Sequence, residues 1–325
     1  MPAATPVVTF VVPDRVVGRG RITIHGSGFA IDDLAGLMLG DVPARVAFAS
    51  SRKLVITVPE DIDGGPTTVR LRDLVLAHVS IGATWATGLH QVDNPVFDRD
   101  GNLYVTYSGS RGQEAPVSIF RVTRAGTREP FSSGIVNATS MALGPDDRLY
   151  VSSRFAGAVY RLGAGGVAEQ VASDMGVACG IAFDANGWMY VGDRSGTIFR
   201  VRDGHAAAFA TLPPSVAAFH LAMSPGGDLH VTAPTLGTYD PIYRIDRHGQ
   251  VTTIASSLGR PQGITFGPDG LLYVVDALAG SSGLHRLGPD GRFELVVAGG
   301  TLIGVAFGYS GELVVSSNET AYRFD

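Results

Sequence analysis

His220, Asp276 and Asp193 are side chains whose types suit acid–base work or metal ligation in this 325-residue chain. His220 interrupts the apolar run Phe219-His-Leu-Ala-Met223, and Asp193 and Asp276 close the runs Met189-Tyr-Val-Gly-Asp193 and Leu272-Tyr-Val-Val-Asp276. A converging imidazole and carboxylate would supply a proton donor and acceptor near neutral pH, or two ligands for one divalent metal ion. Arg154 and Arg194 add planar cations suited to gripping an acidic group. Each of these residues also has a structural role open to it. Asp193 and Asp276 precede turns, where carboxylates cap backbone N–H groups. A histidine on an apolar strand is as readily a hydrogen-bonded core residue as a ligand. Cys179 has no paired base in the sequence and reads as a small buried hydrophobe.

The elements that position these residues come from a repeat. Six times between Asn94 and Phe324 the chain gives a short apolar strand, a tight turn, a second strand and a third strand ending in Arg. The clearest copies are Gly263-Ile-Thr-Phe-Gly-Pro-Asp-Gly-Leu-Leu-Tyr-Val-Val-Asp276 and Gly180-Ile-Ala-Phe-Asp-Ala-Asn-Gly-Trp-Met-Tyr-Val-Gly-Asp193. Aligned on the second strand, the copies fall at Tyr104, Tyr150, Tyr190, His230, Tyr273 and Val314. A step of roughly 40 residues is that of a four-stranded propeller blade. Asp100-Gly101, Asn186-Gly187, Gly226-Gly227, Asp269-Gly270 and Ser310-Gly311 supply the positive φ that the hairpins need. The sixth copy stops after its third strand, and Ala83-Thr-Trp-Ala-Thr-Gly-Leu89 is the candidate fourth. The reading is a six-bladed β-propeller closed by an N-terminal strand, which leaves no open sheet edge.

That connectivity locates a site. The start of each first strand and the end of each second strand share one face of the ring. The starts are Asn94, Asn137, Cys179, His220, Gln262 and Ile303; the ends are Tyr107, Arg154, Asp193, Arg194, Asp276 and Asn318. The polar set predicts a small-molecule site at the channel mouth. His220, Asp276 and Asp193 are its candidates for chemistry. Arg154, Arg194, Asn94, Asn137, Gln262, Tyr107 and Asn318 are its candidates for binding. Connections Ser108–Pro116, Ala233–Pro241 and Ala277–Gly283 rise around the opening. Arg121, Arg161, Arg200, Arg244, Arg286 and Arg323 recur at the third-strand ends and read as blade scaffold.

Residues 1–80 are different. Arg21-Ile-Thr-Ile-His-Gly-Ser-Gly-Phe29 alternates apolar and polar positions, and further short strands lie between Gly, Pro and Asp turns. The expected organisation is therefore all-β, with a small β-sandwich over 1–80 followed by the propeller over 81–325.

The bulk numbers narrow the function. A formal charge of −5 without a basic run argues against nucleic acid. A single cysteine excludes an intramolecular disulfide and a cysteine zinc cluster. No apolar stretch reaches the ~18 residues of a membrane span, and Met1-Pro-Ala-Ala-Thr-Pro6 lacks the features of a secretion signal. The expectation is a cytoplasmic protein, or a secreted one if a signal has been trimmed.

Two resemblances add to this. Pro6-Val-Val, Ile22-Thr-Ile-His-Gly-Ser-Gly-Phe29, Gly40-Asp-Val-Pro-Ala-Arg-Val46 and Leu54-Val-Ile-Thr-Val-Pro59 are similar to the immunoglobulin-like IPT/TIG family, which implies a spacer or interaction module. Pro261-Gln-Gly-Ile-Thr-Phe-Gly-Pro-Asp-Gly-Leu-Leu-Tyr-Val-Val-Asp276 and its cousins resemble NHL-repeat propellers and the gluconolactonase, or senescence-marker-protein, family. That resemblance implies lactonase-like hydrolysis or lyase chemistry around one divalent metal ion, held by Glu, Asn and Asp side chains at first-strand starts. Those positions carry Asn94, His220 and Gln262 here, with no carboxylate among them. The metal reading for this chain therefore rests on His220 and Asp276. Two functions stay open: a small-molecule site with or without catalysis, and a non-catalytic platform for a protein partner with the sandwich as adaptor.

Overall fold

The computed structural model describes residues 5–277 and 282–324. Strands account for nearly all of its regular structure, and the described residues contain no α-helix. No helix among them is long and apolar enough to cross a membrane.

Strands β1 (Val7–Val12), β2 (Arg15–Val16) and β3 (Arg21–Ser27) lead to a short 3-10 turn at Ile31–Gly36. β4 (Leu37–Leu39), β5 (Val42–Pro43), β6 (Arg45–Ala49), β7 (Lys53–Thr57), β8 (Gly65–Leu71) and β9 (Leu74–Ile81) follow. Strict alternation puts Ile22 and Ile24 of β3, with Leu54 and Ile56 of β7, on one buried face. They meet Leu37, Leu39, Val69 and Val79 from the other layer in one apolar core. The first layer has the order β1-β3-β7-β6.

The second layer does not stop at the N-terminal segment. β10 (Ala83–Thr87) precedes six units whose strands run in chain order. Unit 1 holds β11 (Val96–Phe97), β12 (Leu103–Thr106), β13 (Ile119–Val122) and β14 (Arg128–Ser132). Unit 2 holds β15 (Ala138–Leu143), β16 (Leu149–Ser153), β17 (Ala158–Leu162) and β18 (Ala168–Ala172). Unit 3 holds β19 (Ala178–Phe183), β20 (Met189–Asp193), β21 (Thr197–Arg202) and β22 (His205–Thr211). Unit 4 holds β23 (His220–Met223), β24 (Leu229–Thr232), β25 (Asp240–Ile245) and β26 (Val251–Leu258). Unit 5 holds β27 (Pro261–Phe266), β28 (Leu272–Asp276), β29 (Gly283–Leu287) and β30 (Phe293–Ala298). Unit 6 holds β31 (Leu302–Phe307), β32 (Leu313–Ser317) and β33 (Thr320–Phe324).

β10 pairs antiparallel with β33, so the sixth sheet takes its fourth strand from ahead of the first unit. The innermost strands pack successively from β11 through β15, β19, β23 and β27 to β31, and β31 also touches β11. β2 lies parallel to both β30 and β9, pairing Arg15 with Val297 and with Ser80. This joins the fifth unit and the second N-terminal layer into one nine-stranded sheet. The bridging strand, two residues long, satisfies the outer edge of β30, which a freestanding unit would leave open.

The repeat positions are structural. Tyr104, Tyr150, Tyr190 and Tyr273 each donate a hydroxyl hydrogen bond to a hairpin carboxylate, Asp98, Asp146, Asp184 and Asp269 in turn. Each ring meets a phenylalanine edge-to-face, and His230 takes that slot against Phe266 at 5.0 Å. The third-strand arginines pair with acidic side chains, as Arg121 does with Glu129 and Arg286 with Glu294, while Arg200 stacks over Trp188 at 4.3 Å.

Candidate functional site

Two openings lie at opposite ends of the axis enclosed by the six innermost strands. One is lined by the far ends of the first strands, from Asn94–Phe97 round to Val305–Phe307. The other, of about 270 Å³, is lined by Gln91 and Val92, Arg154, Val177 and Cys179, Arg194, Val216–Ala218, Gln262, Ile303 and Asn318. Every unit contributes to it. This second opening collects first-strand starts and second-strand ends, and it is the candidate site.

Its wall is uneven. Arg154 directly follows β16 of unit 2 and Arg194 directly follows β20 of unit 3, so both stand on one side of the ring. Arg194 donates from Nε to the carbonyl of Ser215 at 3.2 Å. Neither arginine has an acidic partner among the described residues, and no Asp or Glu lines the cavity. Burial lowers the pKa of Arg154 from its ordinary value, and the neighbouring Arg194 and Arg111 lower it further. Across the ring the lining is neutral amide. Asn318 donates to the carbonyl of Gln91 at 2.6 Å, and the Gln91 side-chain amide, fully buried, has no hydrogen-bond partner on either atom. Cys179 completes the floor. Its thiol donates to the carbonyl of Val177 at 3.3 Å, and burial pushes its pKa up to about 12. At neutral pH it is a protonated, poorly nucleophilic group.

His220 is fully buried and is not among the residues lining this cavity. Its Nδ1 lies 2.6 Å from Oδ1 of Asp93, which also accepts the N–H of Asn94 at 2.7 Å. Asp93 lies in the segment leading into unit 1, so this pair ties that segment to the first strand of unit 4. Nε2 of His220 has no partner.

The carboxylates singled out from sequence are committed elsewhere. Asp276 accepts the N–H groups of Gly259 (3.0 Å) and Arg260 (2.7 Å). Asp193 accepts the N–H groups of Val177 (2.8 Å) and Ser195 (3.2 Å) and the Ser195 hydroxyl. Both hold the connection into a first strand against the end of a second strand. Asn137, in the left-handed region at φ 51°, accepts from Gly112 N–H and donates to the carbonyls of Ser108 and Ser110. It pins the connection 108–116. Asn94 donates to Ile264 O and accepts from Val305 N–H, and it lines the opposite opening. A side chain at Gly263 would collide with the Asn94 amide, so glycine there lets unit 1 reach unit 5. Tyr107 packs edge-to-face between His90 and Phe120. Most of the connection Ala277–Gly283 lies outside the described residues.

Of the ten sequence candidates, Arg154, Arg194, Gln262 and Asn318 meet in the cavity. Asp93, Gln91 and Arg111 were not singled out. Asp93 adjoins Asn94 at a first-strand start, and that adjacency was the available signal. The donor set does not fit a hard divalent cation. Asn94 spends both amide atoms on backbone, His220 spends Nδ1 on Asp93, and Asp276 is bonded to loop N–H groups. Among the described residues no group of three or more His, Cys, Asp or Glu side chains is placed to hold a metal ion.

Comparison with known proteins gives the fold. The strictosidine synthase-like N-terminal family model matches residues 180–201. No curated protein matches. A solved gluconolactonase-like structure is 18% identical, with a TM-score of 0.60 over 74% of this chain and 90% of its own. Virginiamycin B lyase from Staphylococcus aureus is 16% identical, with a TM-score of 0.52 over 73% of this chain and 84% of its own. An auxiliary nutrient binding protein from Bacteroides thetaiotaomicron is 13% identical, with a TM-score of 0.59 over 100% of this chain and 98% of its own. At these identities the likeness is one of fold, and the fold is a β-propeller.

Proposed function

We propose that this protein binds a small anionic molecule at the mouth of its propeller, in the cavity walled by Arg154 and Arg194. One observation carries the reading: two adjacent arginines face a cavity that holds no carboxylate. Two like charges brought together on a partly buried wall repel, and an anion between them removes that cost. The amides of Gln262 and Asn318 on the other side suit an uncharged, hydrogen-bonding body. The likeness over the full chain to a nutrient binding protein is in keeping with recognition as the task.

The same reading takes the propeller as six-bladed, closed by β10, with residues 1–80 forming an IPT/TIG-like sandwich that serves as a spacer. It assigns no hydrolysis or elimination to this cavity. The metal-centred chemistry implied by the gluconolactonase resemblance has no fitting donor set here, and Cys179 is held protonated.

The test is thermal unfolding with a panel of carboxylates, sulfate and phosphate esters, alongside Arg154→Met/Arg194→Met. A ligand at about 100 times its Kd adds about 2.7 kcal/mol of stability. Stabilisation by at least one anion that the double variant loses is the expected result. Indifference to every anion, or an equal response from the variant, overturns the reading and leaves the protein-interaction platform in its place.

A further inference from the structure

The first strand has one free side. β1 is an edge of its layer, paired with β3 alone, and no other group among the described residues bonds to Val7–Val12. Its far side is a row of unpaired N–H and C=O groups, which a further strand can complete. The residues along it, Val7-Val-Thr-Phe-Val-Val12, carry no charge, and Val7 and Phe10 are 58% and 53% exposed. Free edges elsewhere are blunted: β6 carries Arg45, β14 carries Glu129 and Pro130, and β18 carries Glu169. β22 and β26 expose mostly Ala, Thr and Ser. An apolar, exposed and unguarded edge marks an interaction surface.

The partner is indicated by the order of faces along the strand. The ladder to β3 shifts register between Val8 and Phe10, which makes Thr9 an extra residue. Val8 and Val11 turn inward against the N-terminal core, while Val7, Thr9, Phe10 and Val12 are exposed. From either end the faces run out, in, out, out, in, out. A second copy turned end for end therefore sets Val7 against Val12, Val8 against Val11 and Thr9 against Phe10. Outward meets outward and inward meets inward at every pair. A slip of one residue sets an inward valine against an outward residue, so one register is favoured. Without a charged residue in β1, no like charges meet when the strand pairs with itself.

We propose that two copies of this chain pair antiparallel through β1, about a two-fold axis passing between their Thr9–Phe10 segments. The pairing joins two β1-β3-β7-β6 layers into one continuous sheet. This inference is independent of the anion reading, and it gives the N-terminal segment the task of holding two propellers in one molecule.

Sedimentation velocity on the full chain tests it. An edge of six residues is smaller than the roughly 20–30 residues a side of a stable interface, so dimers are expected at micromolar protein. A series from about 1 to about 300 µM should pass from monomer to dimer over that range. Val7→Lys/Val12→Lys sets like charges opposite each other and should leave only monomer. Val7→Glu/Val12→Lys sets opposite charges together and should dimerise as the parent does. Both positions are exposed, so unchanged melting temperatures verify that the variants fold. Oxidation of Val7→Cys/Val12→Cys in a Cys179→Ala background should give a disulfide-linked dimer, since opposed Cα atoms stand about 4.5–5.5 Å apart. Val7→Cys alone should not cross-link, because the two copies of that residue lie about 17 Å apart along the pair. A parent that is monomeric throughout the series overturns the proposal, as does a dimer that persists in Val7→Lys/Val12→Lys. Equal cross-linking of the single and double cysteine variants overturns the register.

Discussion

Nδ1 of His220 and Oδ1 of Asp93 are 2.6 Å apart and 127 residues apart in sequence, and they tie the segment entering unit 1 to the first strand of unit 4. Both side chains are buried, at 0% and 4% exposure. With Nδ1–H donating to the carboxylate, the pair acts as a buried strut between that segment and unit 4.

Breaking one half of the strut strands the other. His220→Ala leaves the Asp93 carboxylate buried with only the Asn94 N–H to bond it, and should cost about 3–5 kcal/mol in urea unfolding. Asp93→Asn keeps a hydrogen-bond acceptor and should cost less. A His220→Ala protein within about 0.5 kcal/mol of the parent would show that the strut carries no stability.

The carboxylate of Asp276 distinguishes a cap from a metal ligand. As the acceptor for Gly259 and Arg260 N–H groups, it should cost about 2–3 kcal/mol when replaced by alanine, because two buried donors lose their partner. The loss should be the same with calcium, with zinc and with a chelator. A loss that appears only in the presence of one metal would return Asp276 to the ligand set.

Cys179 gives a pH dependence whose sign is fixed. Its folded pKa, about 12, lies above the ordinary 9.0, so the folded state resists deprotonation more than the unfolded state does. The stability this confers is fully present below pH 9 and is lost as pH rises from there towards 12. Cys179→Ala should lessen the alkaline loss of stability over that window. Thiol labelling of the parent at pH 8 should be slow and should accelerate on unfolding. Rapid labelling of the folded protein would contradict the buried, protonated thiol.

What the sequence determined is what depends on local pattern and repetition. Period-two alternation yields the strands, Asp-Gly and Asn-Gly turns yield the hairpins, and the arginines recurring at third-strand ends mark the blade scaffold. Connectivity alone put Arg154, Arg194, Gln262 and Asn318 on one face, because first-strand starts and second-strand ends must lie together. The pairing of β10 with β33 was legible for the same reason, as a missing strand with one candidate.

Only the tertiary structure decided which polar groups remain free. Asp193, Asp276, Asn94 and Asn137 look like ligands in sequence, yet backbone groups from neighbouring elements take up their hydrogen-bonding atoms. A buried polar atom must be paired, and its partner is set by how units pack rather than by its own neighbours in the chain. The same holds for Asp93 with His220 and for β2 inserted beside β30. Each joins segments whose separation in the chain carries no local signal of their meeting.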